Sequence, residues 1–172
     1  MNVVIRPEKR SDFDRITEIS DLAFGQKNEG LLIEKLRKTK DFIPELSLIA
    51  EYKRLVIGHI LFYPIHIVTD NQRFTSLALA PLSVHPAFQN RGVGSKLVVR
   101  GLASSKELGF ESIIVLGHAK YYSKFGFKPA SRWGIRAPFD VHDEVFLAKE
   151  LKKSALKKKS GIVAYPKEFN EV

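Results

Sequence analysis

The stretch that most constrains the fold lies between residues 77 and 127. An apolar run, Leu77-Ala78-Leu79-Ala80-Pro81-Leu82-Ser83-Val84, reaches the turn His85-Pro86-Ala87-Phe88. Gln89-Asn90-Arg91-Gly92-Val93-Gly94 then opens a helical pattern that closes at Leu108-Gly109. A strand that runs through a glycine-bearing turn into a helix leaves the first helical N–H groups without internal partners, and the positive end of the helix dipole lies there. Such a terminus suits a phosphate. Gly92 and Gly94 carry no Cβ, so a bulky diphosphate can come close to the backbone, the amides of residues 91–94 can converge on it, and Arg91 can add a charge-assisted contact. The same glycines also fit a tight strand-to-helix turn with close helix packing, and the local pattern alone leaves both readings open. A second apolar run, Ile113-Ile114-Val115-Leu116-Gly117, reads as a strand covered on both faces. Strand, helix and strand in that order predict a right-handed crossover and a parallel pair.

The chain before this stretch has the periodicities of an α/β protein. Val3-Val4-Ile5 reads as a short strand stopped by Pro7, and Ser11-Asp12-Phe13-Asp14 as a capping-box variant with Ser11 at the N-cap. Phe13, Ile16, Ile19, Leu22 and Ala23 form one apolar stripe, and after Gly25-Gln26-Lys27-Asn28 a second helix turns Leu32, Ile33 and Leu36 inward. Residues 46–50 and 55–62 alternate like the arms of a hairpin, and the second arm continues through Ile65-His66-Ile67-Val68 to a turn at Thr69-Asp70-Asn71-Gln72. Pro64 must then stand at a bulge or an edge. In the central helix Val93, Leu97, Leu102 and Leu108 are expected to face the sheet, with Gly109 as the C′ residue and Phe110 folding back. Val145-Phe146-Leu147-Ala148 and Ile162-Val163-Ala164-Tyr165 are candidate strands on either side of a lysine-rich segment.

Composition narrows the chemistry. With 172 residues the chain is long enough for one domain with a single core, and residues 1–172 are read as that domain. There is no cysteine, which excludes disulfides, thiolate metal sites and a cysteine nucleophile. No His/Asp/Glu set has metal-ligand spacing. No apolar run approaches the roughly 20 residues of a membrane-spanning helix, and the first residues lack the layout of a signal peptide, so a cytoplasmic protein is expected. The net charge of +9 favours anionic partners. Much of it lies in Arg37-Lys38 with Lys40 and in Lys149, Lys152, Lys153, Lys157, Lys158 and Lys159. The first group suits a helix C-terminus and the second a solvated loop, with nucleic acid the less favoured use of either.

Gln89-x-x-Gly92-x-Gly94, preceded by Leu82-Ser83-Val84-His85-Pro86 and followed by Tyr121-Tyr122-x-x-Phe125-Gly126-Phe127, resembles the GNAT superfamily of N-acetyltransferases, closely over residues 81–129 and loosely elsewhere. The resemblance implies a mixed, centrally splayed sheet flanked by helices on both faces, and acetyl-CoA as cosubstrate without a metal. Leu82, Ser83 and Val84 would lie along the pantetheine arm, with backbone groups of Leu82 and Val84 offered to it and to the acetyl carbonyl. Gln89, Asn90, Arg91, Gly92, Val93 and Gly94 would take the pyrophosphate. Tyr122 matches the tyrosine that many members use as general acid. His118, just after the strand end at Gly117, can bond the pantetheine or the amine, or cap the helix that follows.

In this chemistry a neutral amine attacks the thioester carbonyl directly, charge builds on the carbonyl oxygen, and the thiolate leaves. Backbone N–H at Leu82 or Val84 would stabilise the oxyanion, and the Tyr122 hydroxyl would protonate or hydrogen-bond the sulfur. Aromatic packing against Tyr121 and Phe125 is the other use of Tyr122. A base is not evident in the strand at 77–84; Glu29, Asp143 and Glu144 are candidates. Trp133, Phe139 and Phe146 lie where the family shapes its acceptor pocket, and Asp143 and Glu144 there would suit a cationic amine. His59, His66 and His85 read as packing or solvent-facing residues. The acceptor is a small-molecule or protein amine. Two other functions fit the same motifs: a binding protein that holds acyl-CoA without turnover, and an acetyltransferase acting on an RNA-bound or ribosomal amine.

Overall fold

A computed structural model describes all 172 residues. The elements in order are β1 (Val4–Pro7), α1 (Phe13–Phe24), α2 (Asn28–Arg37), β2 (Ser47–Tyr52), β3 (Leu55–Val68), β4 (Arg73–Val84), α3 (Val93–Glu107), β5 (Ser112–Leu116), α4 (Ala119–Tyr122), β6 (Lys128–Pro129), β7 (Ile135–Arg136), β8 (Phe146–Glu150) and β9 (Gly161–Ala164), with short 3-10 turns between several of them. They form two compact units. One comprises Met1–Phe62, Pro81–Ser104 and Lys167–Val172; the other comprises Tyr63–Ala80 and Ser105–Pro166. The strands β3 and β4 and the helix α3 each run through both.

In the first unit β1, β2 and the start of β3 are antiparallel neighbours. The β2–β3 ladder is broken between Ala50↔Gly58 and Glu51↔Val56, so Ile57 is an extra residue in β3, a β-bulge. The apolar stripe expected for α1 holds at Ile16 and Ile19, both fully buried, but Leu22 is 49% exposed. Ser20 is buried in its place, its Oγ 3.4 Å from Ser83 Oγ on β4. From α2, Leu32, Ile33 and Leu36 are buried as expected. Ser11 is not the N-cap. Residues Arg10–Asp12 form a 3-10 turn, and Asp12 is the residue that braces it, accepting from Lys9 N–H at 2.9 Å and from the Arg6 guanidinium at 2.8 and 3.1 Å. Arg6 also donates to Glu51 at 2.9 Å, which ties β1 to β2. Burial alone would raise the Asp12 pKa; the Arg6 fork and the Lys9 amide outweigh it and hold the carboxyl below its ordinary value. Arg37 stands in the last turn of α2, as the sequence suggested, and has partners there. Its guanidinium binds Glu8 at 2.7 Å and lies 3.7 Å from the centre of the Phe13 ring.

In the second unit the neighbours run β3-β4-β5-β8-β6, with β9 paired to β3 and to β7. The predicted parallel pair is β4 and β5, with Leu77↔Ile113 and Ala78↔Ile114 in register, whereas β5 stays paired with β8 as far as Leu116↔Phe146. Pro64 lies inside the continuous strand β3, between the last partner on β2, at Leu61, and the first on β9, at His66, so neither of those strands pairs with it. The end of α3 is a Schellman motif: Gly109 has φ 92°, Phe110 N–H donates to Ser105 and Gly109 N–H to Lys106. Leu108, expected to face the sheet, is 47% exposed; Leu97 and Val98 are fully buried instead. The lysine-rich segment between β8 and β9 is a string of turns that buries Ala155 and Leu156 and leaves Lys152, Lys153, Lys157 and Lys158 in solvent.

Together these elements make a mixed, mostly antiparallel sheet flanked by helices, the α/β class read from the sequence. No helix is long and apolar enough to cross a membrane.

Candidate functional site

The first unit gathers the residues expected around the diphosphate. Along the end of β4, Leu82 and Val84 are half-buried while Ser83 between them is buried and turned toward Ser20. The chain then leaves the strand through a well-fixed turn. His85 N–H donates to Ile57 at 2.8 Å, Phe88 N–H donates to His85 at 2.8 Å, and His85 Nδ1 accepts from Ala87 N–H at 3.0 Å. Phe88 packs edge-on against Tyr52 and His85, with ring centres 6.1 and 5.9 Å away, and the Arg91 guanidinium stands 5.9 Å from the Phe88 ring centre. Gln89 folds back, its Nε2 donating to the Val84 carbonyl at 3.0 Å. This side chain therefore braces the turn, one of its two amide hydrogens being used within the chain.

Asn90 and Gly92 both have positive φ, 62° and 81°. Asn is one of the few residues other than glycine that enters this region without much strain. Left-handed residues flanking Arg91 turn successive N–H groups toward one side, the arrangement of a backbone nest for an anion. A Cβ at Gly92 would meet nothing within 4 Å, so the backbone there is bare. The helix begins at once: Lys96 N–H donates to Gly92 at 3.1 Å, which leaves the amides of Val93, Gly94 and Ser95 as the unpaired first turn of α3. Val93 is buried, and Gly94 is half-buried.

The second unit holds the expected acid. Gly117, just past β5, is tied to Val145 by a 2.8 Å backbone bond. His118 is the N-cap of α4 through its carbonyl, which accepts from Tyr121 and Tyr122; its side chain makes no capping bond and is exposed. Tyr122 is 9% exposed and sits among Tyr121, Phe125 and Phe127, with ring centres 5.0, 6.5 and 5.6 Å away. Its ring lies flat over Gly117, where a Cβ would come 2.5 Å from Tyr122 Cε2. Burial, reinforced by Tyr121, raises the Tyr122 pKa above the ordinary phenol value, so the hydroxyl keeps its proton at neutral pH.

The candidate bases belong to different units. Glu29 is engaged by Gln26 at 2.7 and 2.9 Å, while Asp143 and Glu144 are exposed in a short 3-10 turn. Among the aromatic residues expected near the acceptor, Phe139 is 45% exposed and stacks on Tyr165, and its ring meets that of Phe146 edge-on at 6.4 Å. Burial pushes the Tyr165 pKa up to about 12. Trp133 closes a 3-10 turn. No group of three His, Asp or Glu side chains is arranged to hold a metal.

A strand end, two left-handed residues and a bare helix start, on a mixed sheet with a parallel β4–β5 pair, make an α/β arrangement of the kind that suits a phosphate-bearing ligand. Comparison with known proteins narrows that class. Residues 4–130 match the family model described as an acetyltransferase (GNAT) domain. The chain is 36% identical over 136 residues to the uncharacterized N-acetyltransferase YjhQ of Escherichia coli K12, covering 78% of this chain and 75% of that protein. Among solved structures it is similar to the GNAT family N-acetyltransferase YhbS of Escherichia coli in complex with CoA (TM-score 0.91, 28% identity, 99% of this chain and 93% of that one). It is also similar to a GNAT family acetyltransferase of Brucella melitensis in complex with acetyl-CoA (TM-score 0.80, 31% identity, 98% of each). The chain belongs to the GNAT acetyltransferase family.

Proposed function

We propose that this protein moves the acetyl group of acetyl-CoA to a primary amine by direct attack, with residues 1–172 acting as one catalytic domain. The observation that carries the reading is the Gln89 to Gly94 segment, with Asn90 and Gly92 in the left-handed region at the start of α3, in a chain whose solved relatives hold CoA and acetyl-CoA. The amides of residues 91–94 bind the pyrophosphate, helped by Arg91. The backbone of Leu82 and Val84 lies along the pantetheine arm and polarises the thioester carbonyl, so that negative charge developing on that oxygen meets a fixed N–H.

Tyr122 acts on the leaving sulfur. Its raised pKa sets the form of that help. A thiol has a pKa near 8.5, so a phenol held above 10 cannot give up its proton to the thiolate downhill. Tyr122 therefore donates a strong hydrogen bond as the C–S bond breaks, and the proton released by the amine makes the free thiol. The His118 side chain, exposed at the start of α4, is free to meet the pantetheine or the amine. Because Glu29 is engaged by Gln26 and Asp143 and Glu144 are exposed in a turn, the base is water or an acceptor amine that arrives already neutral.

Thiol release tests this. With acetyl-CoA and a panel of primary amines, a thiol-reactive dye should report amine-dependent turnover. Calorimetric binding of acetyl-CoA with no turnover for any amine would leave an acyl-CoA-binding protein, and no binding would overturn the reading.

A further inference from the structure

The inward stripe of α3 and the facing residues of β3 are complementary in size at two points. On the helix Val93, Leu97 and Gly101 are spaced by four and share one face; on the strand Gly58, Ile60 and Phe62 share another. Where the helix is bulky the strand is bare: a Cβ at Gly58 would stand 3.1 Å from Leu97 Cδ1 and 3.3 Å from Val93 Cγ1, and 3.2 Å from the Ser83 carbonyl on β4. Where the strand is bulky the helix is bare. A Cβ at Gly101 would clash with the edge of the fully buried Phe62 ring, 2.5 Å from Cζ and nearer to Cε2.

Such a pair of contacts fixes one coordinate. If α3 slid toward Phe62, Leu97 would run into the ring; if it slid the other way, Gly101 would lift off the ring and open a gap in a fully buried layer. The turn before the helix is referenced to the same point on β3, because His85 N–H is bonded to Ile57, the residue next to Gly58. Both ends of the Gln89 to Gly94 segment are thus measured from adjacent residues of one strand.

We propose that Gly58, Phe62 and Gly101 are positioning residues that set the axial placement of α3 and thereby the affinity of its first turn for the diphosphate of CoA; this rests on the reading of Gln89 to Gly94 given above. All three are buried between strand and helix. Their effect passes through the height at which the amides of residues 91–94 stand, and a displacement of the order of 1 Å is costly for groups that must converge on one ligand.

The test compares CoA with pantetheine, which lacks the diphosphate, by calorimetry on wild-type protein, Gly101→Ala, Gly58→Ala and Gly101→Ala/Phe62→Leu, with far-UV circular dichroism to show that each is folded. Gly101→Ala should weaken CoA about tenfold while changing pantetheine by less than about twofold, and Phe62→Leu in that background should restore most of the loss by making room for the methyl group. Gly58→Ala, a milder intrusion, should weaken CoA in the same selective way, and decides the matter if Gly101→Ala does not fold. Unchanged CoA affinity in a folded variant, equal losses for both ligands, or no rescue would overturn the positioning role. Failure of the wild-type protein to bind CoA would instead overturn the reading of the segment itself.

Discussion

Replacing His59 by glutamine should flatten the acid limb of this protein's stability curve. His59 is fully buried on β3; Nε2 lies 2.8 Å from Ser47 Oγ, and Nδ1 has no partner. Protonation would put a positive charge, with an unpaired N–H at Nδ1, into that layer within reach of the Arg37 charge. Burial first and Arg37 second push its pKa down from 6.5 to about 3. The sign follows from proton counting. Between pH 6.5 and about pH 3 the unfolded chain carries a proton on this ring that the folded chain refuses, so the stability is whole above pH 6.5 and falls as pH drops below it. At 1.36 kcal/mol for each pH unit, moving to about pH 4.5 removes roughly 3 kcal/mol, a large share of the 5–15 kcal/mol typical of a domain. Urea unfolding at pH 7.0 and 4.5, followed by circular dichroism and by the fluorescence of Trp133, the sole tryptophan, measures it. Glutamine can still bond Ser47 but does not titrate. The wild-type protein should therefore lose roughly 3 kcal/mol more than His59→Gln across that interval. Equal losses would show that the buried imidazole is not what acid attacks.

Gly92→Glu should abolish acetyl-CoA binding, since it sets bulk and negative charge on the bare face of the nest and forces a side chain into φ 81°; unchanged calorimetric affinity would refute the assignment. Tyr122→Phe should slow thiol release about tenfold or more with cofactor affinity nearly intact, because only the hydroxyl is lost from a ring that still fills its place over Gly117; a fully active variant removes Tyr122 from the reaction. Asp12→Ala should cost roughly 2–4 kcal/mol by leaving Arg6 and the Lys9 amide without their shared acceptor, read as a lower urea midpoint at unchanged slope. The Asp12 contribution in the wild-type protein should itself fade as pH falls through and below the ordinary carboxylate range, since its folded pKa is depressed.

The parts of this structure that a reader of the sequence can see are those decided by neighbours in the chain. Gly109 and Phe110 end α3 as expected, because a glycine past the last helical turn is local chemistry. The strand, turn and helix between Leu77 and Glu107 are likewise dictated by alternation, proline and glycine. Errors came where a distant partner decides. Leu22 and Leu108 have helical spacing but lie where no layer covers them, and Ser20, polar in the sequence, is buried because Ser83 meets it. Ser11 has the composition of a cap; Asp12 displaces it because Arg6 and the Lys9 amide converge on a carboxylate. Around the site, Gln89 is conspicuous in the motif, yet its bond to the Val84 carbonyl shows only in three dimensions. The roles of His59, Gly58, Phe62 and Gly101 leave no sequence trace beyond a histidine and a glycine in an apolar strand, since each is defined by what faces it.

The extra residue at Ile57 gives this hairpin an unusual sensitivity to length. Side chains alternate along a strand, so removing one residue between Val56 and Gly58 would regularise the pairing with β2 and invert the inside and outside of everything that follows. Phe62 would be turned from the helix, His59 would take its side, and the carbonyl that receives the His85 amide would vanish. Insertions and deletions are ordinarily absorbed by loops; here a single residue lost would reach the packing of the central helix.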